Sequence, residues 1–400
     1  LFVGYVVLLC VTATDLGMSR DESFYVVAAE DYGAWVAKAL TEPSEAFSRT
    51  QIDDAWDYNW EHPALMKLSF ALSWLLQQKL QLFASDSLSF RFPAILCAGL
   101  LLWLIYAWGA AVLGRAAGLF AAVGFALMPR VFYHSHLAAF DMPIAFFVTL
   151  SAYAYWRALQ DRRWVIPAGL AFGLALATKH NSWLLPPIFA VHYLWLRLDE
   201  AREDRRPRTP AWWLLSMLLL GPLVLIATWP LLWSHTLDRL AAYVSFHLHH
   251  VHYSYAYLGQ TYFEPPFPVS VPFVMTLFTV PLTFLLLSVI GLFSSWPSLR
   301  PPWLSAPVGN RASSAALRTR LLWFGCALCP MLAIAWPSSP IFGGTKHWLT
   351  AYPFVALFAG AGFDWSARAA RGVSLTRAFP AGIFAAILLA PSAVETAHSH

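Results

Sequence analysis

Long apolar runs alternate with short polar breaks along the chain, and that pattern sets the architecture. The runs fall at about 1–14, 90–113, 115–130, 140–157, 164–178, 181–197, 211–233, 271–293, 320–337, 348–364 and 378–394. A helix needs roughly 20 apolar residues to cross a bilayer core. The runs therefore predict about eleven membrane spans, several of them shortened or carrying Pro. Residues 15–89, between the first two runs, follow a different period. From Glu22 to Leu40 the apolar positions Phe24, Val27, Ala28, Trp35, Val36 and Leu40 recur at helical spacing. This predicts a helix lying along the membrane surface. His62 to Leu82 repeats the device with Leu65, Leu68, Leu72, Leu75 and Leu76, interrupted by Lys67, Gln77, Gln78 and Lys79. It reads as interfacial and not spanning. No internal repeat, heptad or low-complexity tract is evident.

Composition turns this pattern into a class. Hydrophobic residues make up 58% of the chain and charged residues 12%, with a mean hydropathy of +0.55. Soluble domains carry roughly 25% charged residues, so lipid must serve as solvent for much of this surface. The 20 Trp, 29 Phe and 15 Tyr suit aromatic belts at both interfaces. The net charge of +4 is modest and gives no reason to expect nucleic acid. Its placement matters more than its size. One set of loops holds Arg115; Arg157, Arg162 and Arg163; Arg197, Arg202, Arg205, Arg206 and Arg208; Arg300, Arg311, Arg318 and Arg320; and Arg368, Arg371 and Arg377. Only six acidic residues accompany these 16 basic ones, whereas the opposite side has 10 basic and 16 acidic residues. Basic loops mark the cytoplasmic face. The outer face then receives 15–89, His134 to Asp141, Lys179 to Asn181, 234–270, and Ser338 to His347. This predicts a multi-pass membrane protein with its candidate chemistry on the outer face. The cytoplasmic stretches 198–210 and 296–319 read as solvated linkers.

The chain starts at Leu1 without Met and ends at His400 just after an apolar run. It reads as a single catalytic domain over 1–400 that lacks a cytoplasmic N-terminus and a C-terminal part. A cleaved signal peptide is the other reading of the first run, but no small-residue cleavage site follows it. Cys326 and Cys329 have redox or zinc-ligand spacing. They lie in an apolar run without a second Cys pair or nearby His, and read as packed helix residues.

Ionisable groups at membrane depth are costly and are functional candidates by default. Here they gather on the outer side. Asp21 and Glu22 follow the first run and suit a general base or a cation site, or else the acidic first turn of a helix. Glu61 and His62, before Pro63, could ligate a metal or merely open the next helix. Asp141, after His134 and His136, is a reacting acid or an N-cap. Lys179, and Lys346 with His347 after Gly343 and Gly344, suit a phosphate or are snorkelling side chains. His247, His249, His250 and His252 precede Tyr253, Tyr255, Tyr257 and Tyr262, a set that could read a sugar or phosphate or hold a metal. P-loop, GxGxxG, GxSxG and HExxH patterns are absent.

Taken in order, these segments resemble one family. Asp21-Glu22, the WEHPAL element, HLAAFDMPIAFF, ATKHNSWLLP, YLGQTYFEPPFP and GGTKHWLTAYPF follow the sequence of motifs in bacterial members of glycosyltransferase family 39. That family includes dolichyl-phosphate-mannose protein mannosyltransferases and lipid A aminoarabinose transferases. The resemblance implies the GT-C fold, an all-α bundle of transmembrane helices with amphipathic surface helices in the first periplasmic loop. It implies inverting sugar transfer from a polyprenyl-phosphate donor to a protein, lipid or glycan acceptor. By the same likeness Asp21, Glu22 and Asp141 are the catalytic acids and Lys179 and His347 face the donor phosphate or sugar; Lys346 and Tyr257 join them as candidates on their residue chemistry alone. Glu61 falls where the aminoarabinose transferases have a Glu near a metal, so a divalent ion is the one cofactor implied. His62 and Ala64 replace the Lys and second Pro of that group. The large soluble loop of eukaryotic protein mannosyltransferases is absent, which argues against their substrate.

The expected mechanism has Asp21 activating an acceptor nucleophile while Lys179, with Lys346 or His347, stabilises the departing phosphate. A transporter or flippase is the rival from another class. It would place ionisable residues at mid-span and repeat its topology in inverted form, and the sequence shows neither.

Overall fold

A computed structural model describes residues 1–202, 210–295, 314–372 and 381–399. The chain is an all-α polytopic membrane protein, with one small strand ribbon among the described residues. Helix α1 (Phe2–Thr12) ends in a short turn, and α2 (Arg20–Thr41) leaves it after a bend of 104°. Two short helices follow, α3 (Pro43–Ala46) and α4 (Arg49–Trp56), then α5 (Leu65–Leu80). Thus both surface stretches expected in 15–89 are helices. The two helices pack on each other, burying Ala28, Ala29, Tyr32, Phe70 and Ala71, while Phe24, Val27, Leu40, Leu72 and Leu76 of the expected apolar stripes stay exposed.

The apolar runs continue as α6 (Asp86–Leu113), α7 (Arg115–Ala126) and α8 (Pro129–Ser135), with a 72° bend between the last two. Then come α9 (Asp141–Ala158), α10 (Val165–Leu176), α11 (Leu185–Arg202), α12 (Trp212–Ala227) and α13 (Thr236–Leu248). Strands β1 (Tyr255–Tyr257) and β2 (Gln260–Tyr262) form an antiparallel ribbon that the pattern did not predict. Its two-residue turn is Leu258-Gly259, both at positive φ, the backbone a tight hairpin requires. The C-terminal elements are α14 (Val271–Thr279), α15 (Leu282–Ser295), α16 (Ser314–Ala335), α17 (Tyr352–Gly372) and α18 (Ala381–Ser399).

Among the described residues each expected run contains helix, but not every helix is long enough to cross a bilayer alone. Among the described residues, Asp86–Leu113, Ala316–Ala335 and Gly382–Ser399 meet the length and apolarity required, and the two bent pairs raise the number to five. The run 271–293 is split at Pro281, and Trp212–Ala227 is short. Cys326 and Cys329 are free thiols on α16. Parts of the two linkers, 203–209 and 296–313, lie outside the described residues.

The fold divides into two compact units. Unit 1 comprises 1–99, 134–183 and 208–251; unit 2 comprises 100–133, 184–207 and 252–400. Within unit 1, α10 and α12 approach so closely that a Cβ at Gly169 would overlap Ser216. Within unit 2, α15 and α17 meet at Gly291 and Gly362, each against the other helix's carbonyls. Small residues at a crossing give the backbone approach on which lipid-embedded helices rely.

Candidate active site

The site is assembled in unit 1 from a sharp corner, two helix starts and one inter-helix turn. The corner is the 104° bend between α1 and α2, and Arg91 on α6 holds it. Its guanidinium donates to the carbonyls of Ala13 (2.6 Å), Leu16 (3.0 Å) and Gly17 (2.8 Å), and to both carboxylate oxygens of Glu22 (2.9 and 3.1 Å). Every N–H of the guanidinium is used. Glu22 also accepts from the backbone N–H of Ser19 and Ala138, both at 2.8 Å, and Ser19 closes a capping box with it. Both side chains are buried, Arg91 3% exposed and Glu22 2%. A carboxylate with its acceptor positions filled four times cannot also take a substrate proton. Glu22, expected among the catalytic acids, is thereby the anchor of the corner, and Asp21 beside it is the group presented.

Asp141 begins α9, but its side chain does not cap the helix. Asp141 Oδ1 instead accepts from Lys179 Nζ at 2.8 Å, and Asp141 Oδ2 lies 3.5 Å from His134 Nδ1. Lys179 sits in the turn after α10, where Ser182 donates twice to its carbonyl. That turn is also tied to the first loop, because Leu65 N donates to the carbonyl of Ala177. The start of α5 and the Lys179 turn are thus one joint. An ammonium has three N–H donors, and the Asp141 bond uses one.

Around this pair lies a shell of aromatic and imidazole rings. Tyr25, one helical turn after Asp21, packs on Phe140 (4.0 Å) and His62 (5.8 Å). His247 stacks near His180 (4.0 Å) and His62 (6.0 Å), and its Nε2 meets the Glu61 carbonyl at 2.9 Å. Burial pushes the Tyr25 phenol well above its usual range, and the carboxylates of Asp21, Asp141 and Glu61 push it further. All three acids therefore act on one phenol. Burial likewise holds His62 well below the usual imidazole range, helped by the charges on Lys67 and Lys179. His247 is brought down to about 4, chiefly by burial and partly offset by its bond to the Glu61 carbonyl. At neutral pH His62 and His247 are uncharged. Lys67 is 0% exposed; it donates to the Asn59 carbonyl at 2.6 Å and lies over the Tyr32 ring. Burial lowers its pKa to about 7, and Glu61 opposes that shift.

Glu61 accepts from the Asn59 side chain at 2.7 Å, and His247 approaches the Glu61 carbonyl, not its carboxylate. Among the described residues no three His, Cys, Asp or Glu side chains gather as a metal site would need. Lys67 and Lys179 beside the rings oppose a cation and favour an anion. The residues do not fit a metal, and no step is derived through one.

Tyr257, Lys346 and His347 belong to unit 2. Tyr257 is buried on β1 with its hydroxyl 2.8 Å from that of Ser270. His347 Nε2 contacts the Phe342 backbone, and Lys346 lies over the Phe342 ring, in a loop that Gly343 and Gly344 turn with positive φ. Of the other histidines in the run, His249 and His250 bond nearby main-chain carbonyls and His252 packs on Phe267.

Arg91 and Lys67 escaped the sequence reading. Arg91 heads an apolar run, and a cation there needs a buried partner, which is the signal that could have found it. Lys67 is hidden among the leucines of an amphipathic pattern.

Residues 62–233 match the family described as dolichyl-phosphate-mannose-protein mannosyltransferase. No curated protein sequence matches the chain. Two solved structures share its fold: ArnT from Cupriavidus metallidurans in the apo state and the same protein bound to undecaprenyl phosphate. Each is 16% identical with a TM-score of 0.57. The matches cover 97% and 99% of this chain, and 67% and 69% of the ArnT chain. The family match takes in less than half of the chain, and the fold shared with ArnT over nearly all of it is the GT-C fold. That family match includes His62, Asp141 and Lys179, and leaves out Asp21, Glu22 and His247.

Proposed function

We propose that this protein transfers a sugar from a polyprenyl-phosphate donor to an acceptor at the periplasmic face of the bacterial inner membrane, with inversion at the anomeric carbon. The observation that carries the reading is the Lys179–Asp141 pair. It is a buried ion pair whose ammonium keeps donors for an incoming phosphate, placed among neutral rings and close to a half-exposed Asp21. The relative bound to undecaprenyl phosphate supports a lipid-phosphate partner of this kind.

In this mechanism Asp21 takes the proton of the acceptor hydroxyl or amine as it attacks the anomeric carbon. The bond to the phosphate oxygen breaks on the opposite side, and Lys179 stabilises the negative charge that collects there. Asp141 holds the lysine in place and Glu22 holds Asp21. His347 is assigned to the donor's sugar or phosphate by family likeness, and Lys346 and Tyr257 by their residue chemistry. The acceptor is a protein, lipid or glycan.

The test is transfer by the purified protein in lipid from a panel of radiolabelled polyprenyl-phosphate sugars. At least one should serve as donor. Asp21→Asn should lower that turnover by about 10²–10⁴-fold while donor binding and the thermal midpoint hold. Wild-type turnover in Asp21→Asn removes Asp21 from the chemistry, and a folded protein that uses no donor in the panel favours a transporter.

A further inference from the structure

Unit 1 holds a second feature that the transfer chemistry leaves unused. A cavity of about 570 Å³ opens among α4, the turn after it, the 229–232 segment and α13. Asp53, Asp54 and Asp57 line one side, Trp60 and Trp229 supply aromatic surface, and Arg239 reaches in from α13. Arg239 bonds Asp53 at 2.7 Å, and Arg49 lies 3.7 Å from the same carboxylate. Asp53 is therefore neutralised. Asp54 and Asp57 remain as exposed carboxylates without an ion-pair partner among the described residues. Trp229 is 1% exposed, and its indole N–H is buried without a hydrogen-bond partner among the described residues.

These features select a ligand. Two uncompensated carboxylates repel phosphate and attract an ammonium group, and carboxylates also accept from sugar hydroxyls. Indole rings offer flat apolar surface and attract cations to their faces. The volume lies in the range of small-molecule sites and admits several sugar rings, far more than one lysine side chain fills. Position matters as well. Trp60 immediately precedes Glu61, whose carbonyl meets His247. Arg239 and His247 lie on the same helix, eight residues and about 12 Å apart. A short oligosaccharide held in the cavity would end near the Asp21–Lys179 cluster.

We infer that this cavity is an acceptor subsite for an amine-bearing oligosaccharide, with Asp54 and Asp57 binding the ammonium groups and Trp60 the face of a sugar ring. The inference rests on the transferase reading and names its acceptor as a cationic glycan.

Binding can be measured without any donor, which keeps the two readings separable. The full chain in lipid nanodiscs is titrated at pH 6 by calorimetry with a glucosamine trisaccharide, its N-acetylated form and trilysine. The glucosamine trisaccharide should bind at least about tenfold tighter than either of the others. The Asp54→Asn/Asp57→Asn double variant should lose about tenfold or more of that affinity, with an unchanged thermal midpoint because both side chains are exposed. Trp60→Phe should lose less. Absent binding, equal binding of the N-acetylated sugar, tighter binding of trilysine, or full affinity in the double variant each overturns the subsite. Binding that behaves as expected in a protein that transfers no sugar overturns the transferase reading instead, and leaves a cationic-glycan site.

Discussion

Glu22 with Arg91 and Asp141 with Lys179 are two buried acid–base pairs of the same unit, and they are built to opposite ends. In the first, the guanidinium and the carboxylate are both saturated, by each other, by three carbonyls and by two backbone N–H groups. In the second, one carboxylate oxygen meets one ammonium, which keeps donor capacity, and a histidine stands beside the other oxygen. Burial and charge are alike in the two. What separates them is spare bonding capacity. A saturated pair can only hold the chain, whereas a pair whose ammonium keeps N–H donors can accept a new charged group in a setting where each charge counts for more than in water. The first fixes the corner that presents Asp21, and the second waits at the place where a phosphate would lie.

Double variants test that contrast most directly. Glu22→Ala or Arg91→Ala leaves a buried charge unpaired and should cost about 3–5 kcal/mol, enough to abolish stable expression. Glu22→Gln/Arg91→Met should not recover it, because the carbonyls of Ala13, Leu16 and Gly17 stay without donors. At the other pair, Lys179→Met alone should destabilise by a similar route. Asp141→Asn/Lys179→Met should return to within about 1 kcal/mol of wild type, as replacing both members of a buried pair often does, and should still fail to transfer sugar. Thermal unfolding and transfer assays on these five variants decide it. Recovery at the Glu22 pair, or transfer at the doubly substituted Asp141 pair, would erase the distinction.

Lys67 supplies a smaller effect. It is buried against a carbonyl, and its pKa falls from 10.5 in the exposed chain to about 7 in the fold. Between those values the unfolded chain binds more protons than the folded one, so stability should rise with pH across the window from 7 upward. Below 7 this contribution is gone and the dependence flattens. A midpoint that climbs from pH 7 to 9.5 in wild type, and climbs less in Lys67→Met, is the expected result. Identical pH profiles would show that Lys67 is not the group responsible.

Much of this was legible in the chain. The period of the apolar positions marked the helices, including both surface helices of the first loop, because a lipid-facing or interfacial helix must repeat its apolar residues every three to four positions. The crowding of acids, lysines and histidines at breaks between apolar runs named the candidate residues. Roles within the site were less legible. Asp21 and Glu22 are neighbours of like chemistry, and only the arrival of Arg91, 69 residues on from Glu22, separates them. His247 was one of four histidines in a short run, and only packing against His62 and His180 distinguishes it.

The sequence by itself determined the solvent, the helical elements and the family motifs, since all three depend on residue type at short separation. The tertiary structure alone decided which acid is spent as an anchor, which lysine keeps free donors, and which carboxylates line a cavity. Those outcomes turn on how many bonding partners reach each buried group, and partners brought together by chain reversal leave no periodic trace in the sequence.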